Sequence, residues 1–213
     1  MDGWGIYKDR WDALYIGDVI MFEQAYHNIR PIYISRMLKN VCPLPLKANT
    51  YYGCSHGCKY CYVNVITKTR TERNCKPIPL DYMRRTFQRA KSSKGIGEIH
   101  KSIRKGWAVL LGALSDPFPQ QEMIYKNTYK FLKYLNLIKY PCVILTKSDL
   151  CVNSEYINLY SNCHVVMSIA SLDKKFSKGL EPNAPLPKKR LKALEKLVDE
   201  GVKCTLSITP LIW

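Results

Sequence analysis

With 213 residues, 46% of them hydrophobic and 23% charged, the chain has the composition of a globular protein able to bury its own core. A net charge of +16 favours a polyanionic partner, nucleic acid first, although lysines scattered over a solvated surface give the same total. The opening MDGWGIYKDRWDALY does not read as a signal peptide, no apolar run is long enough to span a bilayer, and nine cysteines then suggest a reducing, cytoplasmic setting.

In chain order, residues 1–45 read as an N-terminal extension. It carries aromatics suited to packing (Trp4, Tyr7, Trp11, Tyr15, Phe22, Tyr26) and an apolar patch at 13–22. Pro31 pushes Arg30 toward extended backbone, and 34–38 suits a short helix. From residue 46 to 213 short apolar strands alternate with helices, the pattern of an α/β domain with about five parallel strands. The first strand is expected at 45–51, followed by a cysteine-rich loop and a basic, irregular stretch at 68–79. A helix capped by Asp81 runs through Met83, Phe87 and Ala90 to a stop at 92–95. The continuous apolar run 107–114 predicts a strand covered on both faces. Apolar positions at Ile124, Thr128, Phe131, Leu132, Leu135 and Ile138 predict one helix. Strands at 142–145 and 165–168 follow, with a helix from about Asn153 between them. The breakers in 179–185 read as a rigid connection. A helix at 188–199 is expected to bury Leu191, Leu194, Leu197 and Val198 and to close at Gly201, before a fifth strand at 202–208.

The loop Asn49-Thr50-Tyr51-Tyr52-Gly53-Cys54-Ser55-His56-Gly57-Cys58-Lys59-Tyr60-Cys61-Tyr62 organises the rest. Its C-x3-C-x2-C spacing brings three thiolates within reach of one metal centre, and thiolate is the ligand of iron–sulfur clusters. Three ligands leave one iron of a four-iron cluster open, as a catalytic site requires and a structural site does not. Gly53 and Gly57 suit a backbone that must wrap closely with φ > 0. Tyr60 and Tyr62 offer flat faces for an adenine ring. The alternative is a zinc site with Cys42, Cys75 or His56 as fourth ligand, although no second cysteine pair of the usual zinc type is present.

Ligands in parallel α/β folds bind at the carboxyl ends of strands, where Ser115, Asp116, Thr146, Lys147, Ser148 and Ser168 fall. A lysine directly after a buried strand either meets an anionic ligand or snorkels to water.

At this point the sequence resembles the radical SAM superfamily, in the branch related to spore photoproduct lyase. The likeness rests on Gly-Cys-x-His-Gly-Cys-x-Tyr-Cys-Tyr at 53–62 and continues in order through Ser115-Asp116, Val143-Ile144-Leu145-Thr146-Lys147, Met167-Ser168-Ile169, 180–185 with Arg190, and 209–212. It implies a partial, open (βα) barrel over residues 46–213, with Cys54, Cys58 and Cys61 holding a [4Fe–4S] cluster. It places Tyr60, Ser115, Asp116, Lys147 and Ser168 around S-adenosylmethionine, Lys147 near its carboxylate, and gives Tyr62 a catalytic part as radical relay. The implied activity is reductive cleavage of S-adenosylmethionine to start hydrogen abstraction from an unidentified substrate, with DNA-lesion repair by a lyase as the nearest analogy. The implied partners are a one-electron donor such as a flavodoxin or ferredoxin, a nucleic-acid substrate, and a second chain or copy completing a barrel that stops inside its last unit. One departure stands out: the lyase has a hydrogen-donating cysteine two residues before its Ser-Asp pair, and this chain has Ala113. A different class of reading is a nucleic-acid-binding protein whose iron–sulfur or zinc site is structural.

Overall fold

The structure, a computed structural model, describes residues 31–35, 44–66 and 75–210. The N-terminal aromatics, the patch at 13–22, residues 36–38 of the expected short helix, the start of the basic stretch and residues 211–213 lie outside the described residues.

One sheet carries the molecule. Its strands are β1 (Ile32–Ile34), β2 (Leu46–Ala48), β5 (Val109–Leu111), β6 (Cys142–Thr146), β7 (Cys163–Ser168) and β8 (Cys204–Ser207), side by side in that order. The pairs from β2 to β8 are parallel and β1 is antiparallel to β2, so the five expected parallel strands are present, and among the described residues no further strand joins either edge. Residues expected to belong to an N-terminal extension therefore supply the antiparallel edge strand. A small ribbon of β3 (Tyr51–Tyr52) and β4 (Lys76–Pro77) stands beside the sheet.

Pleating sends alternate side chains to opposite faces. In β6 and β7 one set is buried: Cys142, Ile144, Thr146, Cys163, Val165 and Met167. These strands share a core with Phe87, Phe131, Leu132, Tyr156 and Leu197 from the helices and connections outside the sheet. On the other face Leu110 of β5, Val143, Leu145, His164 and Val166 are only half-buried. The run 107–114 was expected to be covered on both faces; instead only Val109–Leu111 is strand, and its helix-side residues are buried while Leu110 is not. A continuous apolar run here marks one covered face and one apolar face left half-open.

The helices are α1 (Tyr62–Ile66), α2 (Leu80–Lys91), α3 (Glu98–Arg104), α4 (Glu122–Tyr125), α5 (Asn127–Leu137), α6 (Ser154–Ile157), α7 (Lys174–Leu180) and α8 (Pro187–Asp199). Asp81 lies in the first turn of α2 rather than at its cap, which is Pro79. The single helix expected over 124–138 is broken at Lys126, which adopts φ 51°. The cause is the fully buried Glu122. Its carboxylate accepts from the first amides of α5, Thr128 N at 3.0 Å and Tyr129 N at 2.9 Å, and from the hydroxyls of Tyr51 and Tyr156. An anion on those orphan amides starts a new helix. Ile124, expected on the apolar face, is 77% exposed in consequence. In α8 the buried face is Arg190, Ala193 and Leu197, with Leu191 and Leu194 half-buried and Val198 outward.

Candidate active site

The cysteine loop crosses the carboxyl ends of β5 and β6. Gly53 and Gly57 take φ values of 74° and 65°, as the wrapping backbone was expected to need. Gly57 also fits beneath a strap made by residues 180–183. A Cβ there would lie 3.3 Å from the Asn183 side chain, and the strap is tied down by Lys59 N to Leu180 O (2.8 Å) and Asn183 N to His56 O (3.1 Å). The breaker-rich connection is thus one half of the loop's clamp.

The other half is Asp116, which is buried. Its Oδ1 accepts from Phe118 N (2.9 Å) and the Thr146 hydroxyl (2.7 Å), its Oδ2 accepts from Lys147 N (2.8 Å), and His56 Nε2 lies 3.0 Å from Oδ2. Burial works to raise the pKa of this carboxyl, but the His56 charge and hydrogen bond, with the two amides, hold it down at about 2. Asp116 was expected among the cofactor contacts; here protein donors occupy both oxygens, and it joins the loop to the β5 and β6 ends.

Cys54, Cys58 and Cys61 are free thiols on this clamped loop. Burial pushes the Cys54 thiol up to about 12 and the Cys58 thiol up to about 11, with Lys147 pulling the latter down somewhat. Such thiols ionise when a metal takes the place of the proton. Among the described residues no three His, Cys, Asp or Glu side chains converge closely enough for a single metal ion. Thiolate is the ligand that iron–sulfur clusters take, so three thiols on one loop suit such a cluster by their chemistry. The fourth zinc ligands considered are otherwise engaged: His56 faces Asp116, Cys75 hydrogen-bonds with Ser55, and Cys42 lies outside the described residues.

A second cluster of side chains surrounds Tyr60. Its hydroxyl donates to Glu181 Oε1, whose Oε2 accepts from Arg190; both charged groups are almost fully buried, at 3% and 1% exposure. Arg190 continues to Ser168 O (3.0 Å) and Pro185 O (2.7 Å), so one guanidinium joins the β7 tip to the strap. Burial and the Glu181 hydrogen bond push the Tyr60 phenol well above its ordinary value, so it stays protonated and donates. The Lys147 ammonium sits 5.6 Å from the centre of the Tyr60 ring, and no carboxylate among the described residues pairs with it. Ser115 Oγ donates to Tyr51 O (2.9 Å), while Ser168 Oγ makes only a long 3.4 Å contact to Thr209 O. The Tyr62 ring is half exposed, but its hydroxyl turns inward to the Ala113 carbonyl, and burial pushes its pKa up to about 12.

The loop thus brings together the three cysteines, Tyr60 and Lys147, with Ser115 and Ser168 on neighbouring strand ends. Sequence reasoning gave no separate role to Glu181 or Arg190, and it weighed His56 only as a zinc ligand. A signal for Arg190 was present: it stands on the i, i+3, i+7 apolar face of α8 with Ala193 and Leu197, where an arginine needs a buried anion.

Against known proteins, a model of the radical SAM superfamily matches residues 48–212. An uncharacterized protein of Acidianus two-tailed virus is 30% identical over 170 residues, which cover 76% of this chain and 54% of that protein. One from Methanocaldococcus jannaschii is 26% identical over 165 residues, covering 77% and 59%. The chain therefore spans a little over half the length of these relatives. Among solved structures, a spore photoproduct lyase variant with bound AdoMet and dinucleoside spore photoproduct superposes with TM-score 0.61 at 18% identity, over 83% of this chain and 50% of that one. Streptococcus suis SuiB bound to precursor peptide SuiA gives TM-score 0.53 at 19% identity, over 80% and 34%. These likenesses concern the fold. The match of the family model over most of the chain identifies it as a member of the radical SAM superfamily, whose enzymes use a [4Fe–4S] cluster and S-adenosylmethionine.

Proposed function

We propose that the chain carries the cleavage site of a radical SAM enzyme, with the cluster on Cys54, Cys58 and Cys61 and S-adenosylmethionine between the loop and the strand ends. When bound, cluster and S-adenosylmethionine together supply one-electron reduction of the sulfonium and the carbon–sulfur cleavage that starts hydrogen abstraction. The protein's part is positioning and charge. The observation that carries this reading is the Lys147 ammonium, held at the end of β6 beside the cysteine loop with no carboxylate of its own among the described residues. Such a cation at a strand end suits the carboxylate of an amino-acid cofactor. Tyr60, fixed by Glu181, presents a ring beside it, and Ser115 and Ser168 keep acceptor lone pairs for the rest of the ligand.

The substrate would approach along the half-open face of the sheet lined by Val143, Leu145, His164 and Val166. Tyr62, with its hydroxyl on Ala113, stands at that edge and supplies the O–H from which a substrate radical recovers hydrogen. Nucleic acid is the substrate class the net charge of +16 favours. Because alanine at 113 has no thiol to give up hydrogen, spore photoproduct itself is not the substrate by a thiol route.

Anaerobic reconstitution tests the reading. About four irons and four sulfides per chain are expected, with S-adenosylmethionine cleaved to methionine and 5′-deoxyadenosine under dithionite. Alanine at Cys54, Cys58 or Cys61 should abolish both, while alanine at Cys42, Cys75 or Cys204 should leave the cluster. Tight zinc without iron uptake would falsify it.

A further inference from the structure

Behind the cysteine loop, between it and the start of α8, lies a cleft of about 400 Å³ whose wall includes His56, Phe118, Met123, Asp149, Leu186 and Lys189. It touches the cluster loop through His56, midway between Cys54 and Cys58 in the chain, and its far wall is the strap that clamps Gly57. Three further observations bear on this cleft, which Met123 and Lys189 line directly. The one-turn helix α4 leaves Met123, Ile124 and Tyr125 exposed by 65%, 77% and 45%, consecutive apolar side chains that the core does not use. Lys188 and Lys189 are exposed in the first turn of α8, which holds no acidic residue and has no side-chain cap. Lys59 is exposed on the cysteine loop next to Cys58.

An exposed apolar patch with a basic margin is the anatomy of a transient protein interface. Resting on the reading that the loop holds a cluster in need of an electron, we propose that this cleft and its margin dock an acidic one-electron carrier protein. The reduced carrier gives up one electron and the cluster gains one; no bond forms or breaks. What the surface must provide is close approach, and His56, which lines the cleft, belongs to the cysteine loop itself. The half-open face of the sheet stays free for substrate. Charge complementarity with an acidic carrier speeds encounter and orients it. Asp149, the one acidic residue lining the cleft among the described residues, limits the site to a carrier whose negative charge lies toward the α8 lysines. A nucleic-acid backbone would leave the apolar turn of α4 unused, since such interfaces are more polar and more basic than this one.

The test titrates the reconstituted protein with a flavodoxin at two salt concentrations and follows S-adenosylmethionine cleavage driven by reduced flavodoxin or by dithionite. The pairs Met123→Asp with Ile124→Asp and Lys188→Glu with Lys189→Glu should each raise the flavodoxin Kd at least about tenfold, or 1.4 kcal/mol. Flavodoxin-driven cleavage should fall in parallel and dithionite-driven cleavage should hold. The same charge change on another face, Lys101→Glu with Lys105→Glu, should leave Kd within about twofold. Equal weakening by that control pair, or pairs that lose affinity for duplex DNA while keeping flavodoxin, would overturn the docking site. Absence of dithionite-driven cleavage in the unsubstituted protein would instead overturn the proposed function, with the flavodoxin titration still deciding the site.

Discussion

Among the described residues the buried carboxylates are all spent inside the protein, while Lys147 beside them pairs with none of them. Glu122 is spent on α5, Asp116 on the strand ends, and Glu181 on Arg190 and Tyr60. Lys147 has the Tyr60 ring and the Cys58 thiol beside it and no carboxylate among the described residues. This contrast separates support from function at the level of single substitutions. Glu181→Ala leaves the Arg190 guanidinium buried without its anion and should cost about 3–5 kcal/mol of stability, read as a lower urea midpoint. Lys147→Ala removes a half-buried cation that no ion pair holds, so the urea midpoint should barely move. Its effect should fall on S-adenosylmethionine binding, weakened by about 1.5–3 kcal/mol, the worth of a hydrogen bond to a charged group. A calorimetric titration on cluster-loaded protein checks this, and unchanged affinity would return Lys147 to a side chain that merely reaches for water.

At the scale of elements, the apolar runs marked β5, β6 and β7 because a buried strand needs little beyond β-branched and aliphatic residues. The cysteine spacing and the glycines marked the loop for the same local reason. What was not legible depends on distant groups. The break at Lys126 follows from Glu122 reaching the α5 amides, which no periodicity reveals. The helices α3 and α7 are short and carry few apolar residues, so their pattern is faint. The clamp on the cysteine loop joins residues 56, 116 and 183, far apart in the chain. Gly112 shows how tightly the strand ends meet beneath that clamp. It takes φ 97°, and a Cβ would lie 2.1 Å from the Leu145 carbonyl oxygen, a backbone atom that cannot step aside. Gly112→Ala should therefore cost about 1–3 kcal/mol from overpacking, with left-handed strain of about 1–2 kcal/mol added. The urea midpoint should fall with an unchanged slope, and cluster content should fall with it. A midpoint equal to that of the unsubstituted protein would show that β5 and β6 are not packed this closely.

At the scale of the whole molecule, the sheet's outer edges set how the chain meets its own kind. β8 pairs with β7 on one side, and among the described residues no strand takes its other side. Leu206 and, just past the strand, Ile208 are exposed by 40% and 52%, so the edge offers apolar side chains together with free backbone groups. Edges of this kind recruit another strand unless charge or a covering segment prevents it. β8 itself has no charged residue to act as a guard, Lys203 lying just before it. The expected consequence is concentration-dependent self-association through β8, the partner contact anticipated for an open barrel. Leu206→Lys with Ile208→Lys should suppress it, because lysines beside an edge strand carry a desolvation cost that a second strand must overcome. Sedimentation of the reconstituted protein over a wide concentration range reads the outcome. The unsubstituted chain should sediment faster as concentration rises, and the doubly substituted chain should stay monomeric with its iron content intact. An unsubstituted chain that remains monomeric throughout would mean that this edge is covered in solution, and association would then have to be sought on another face.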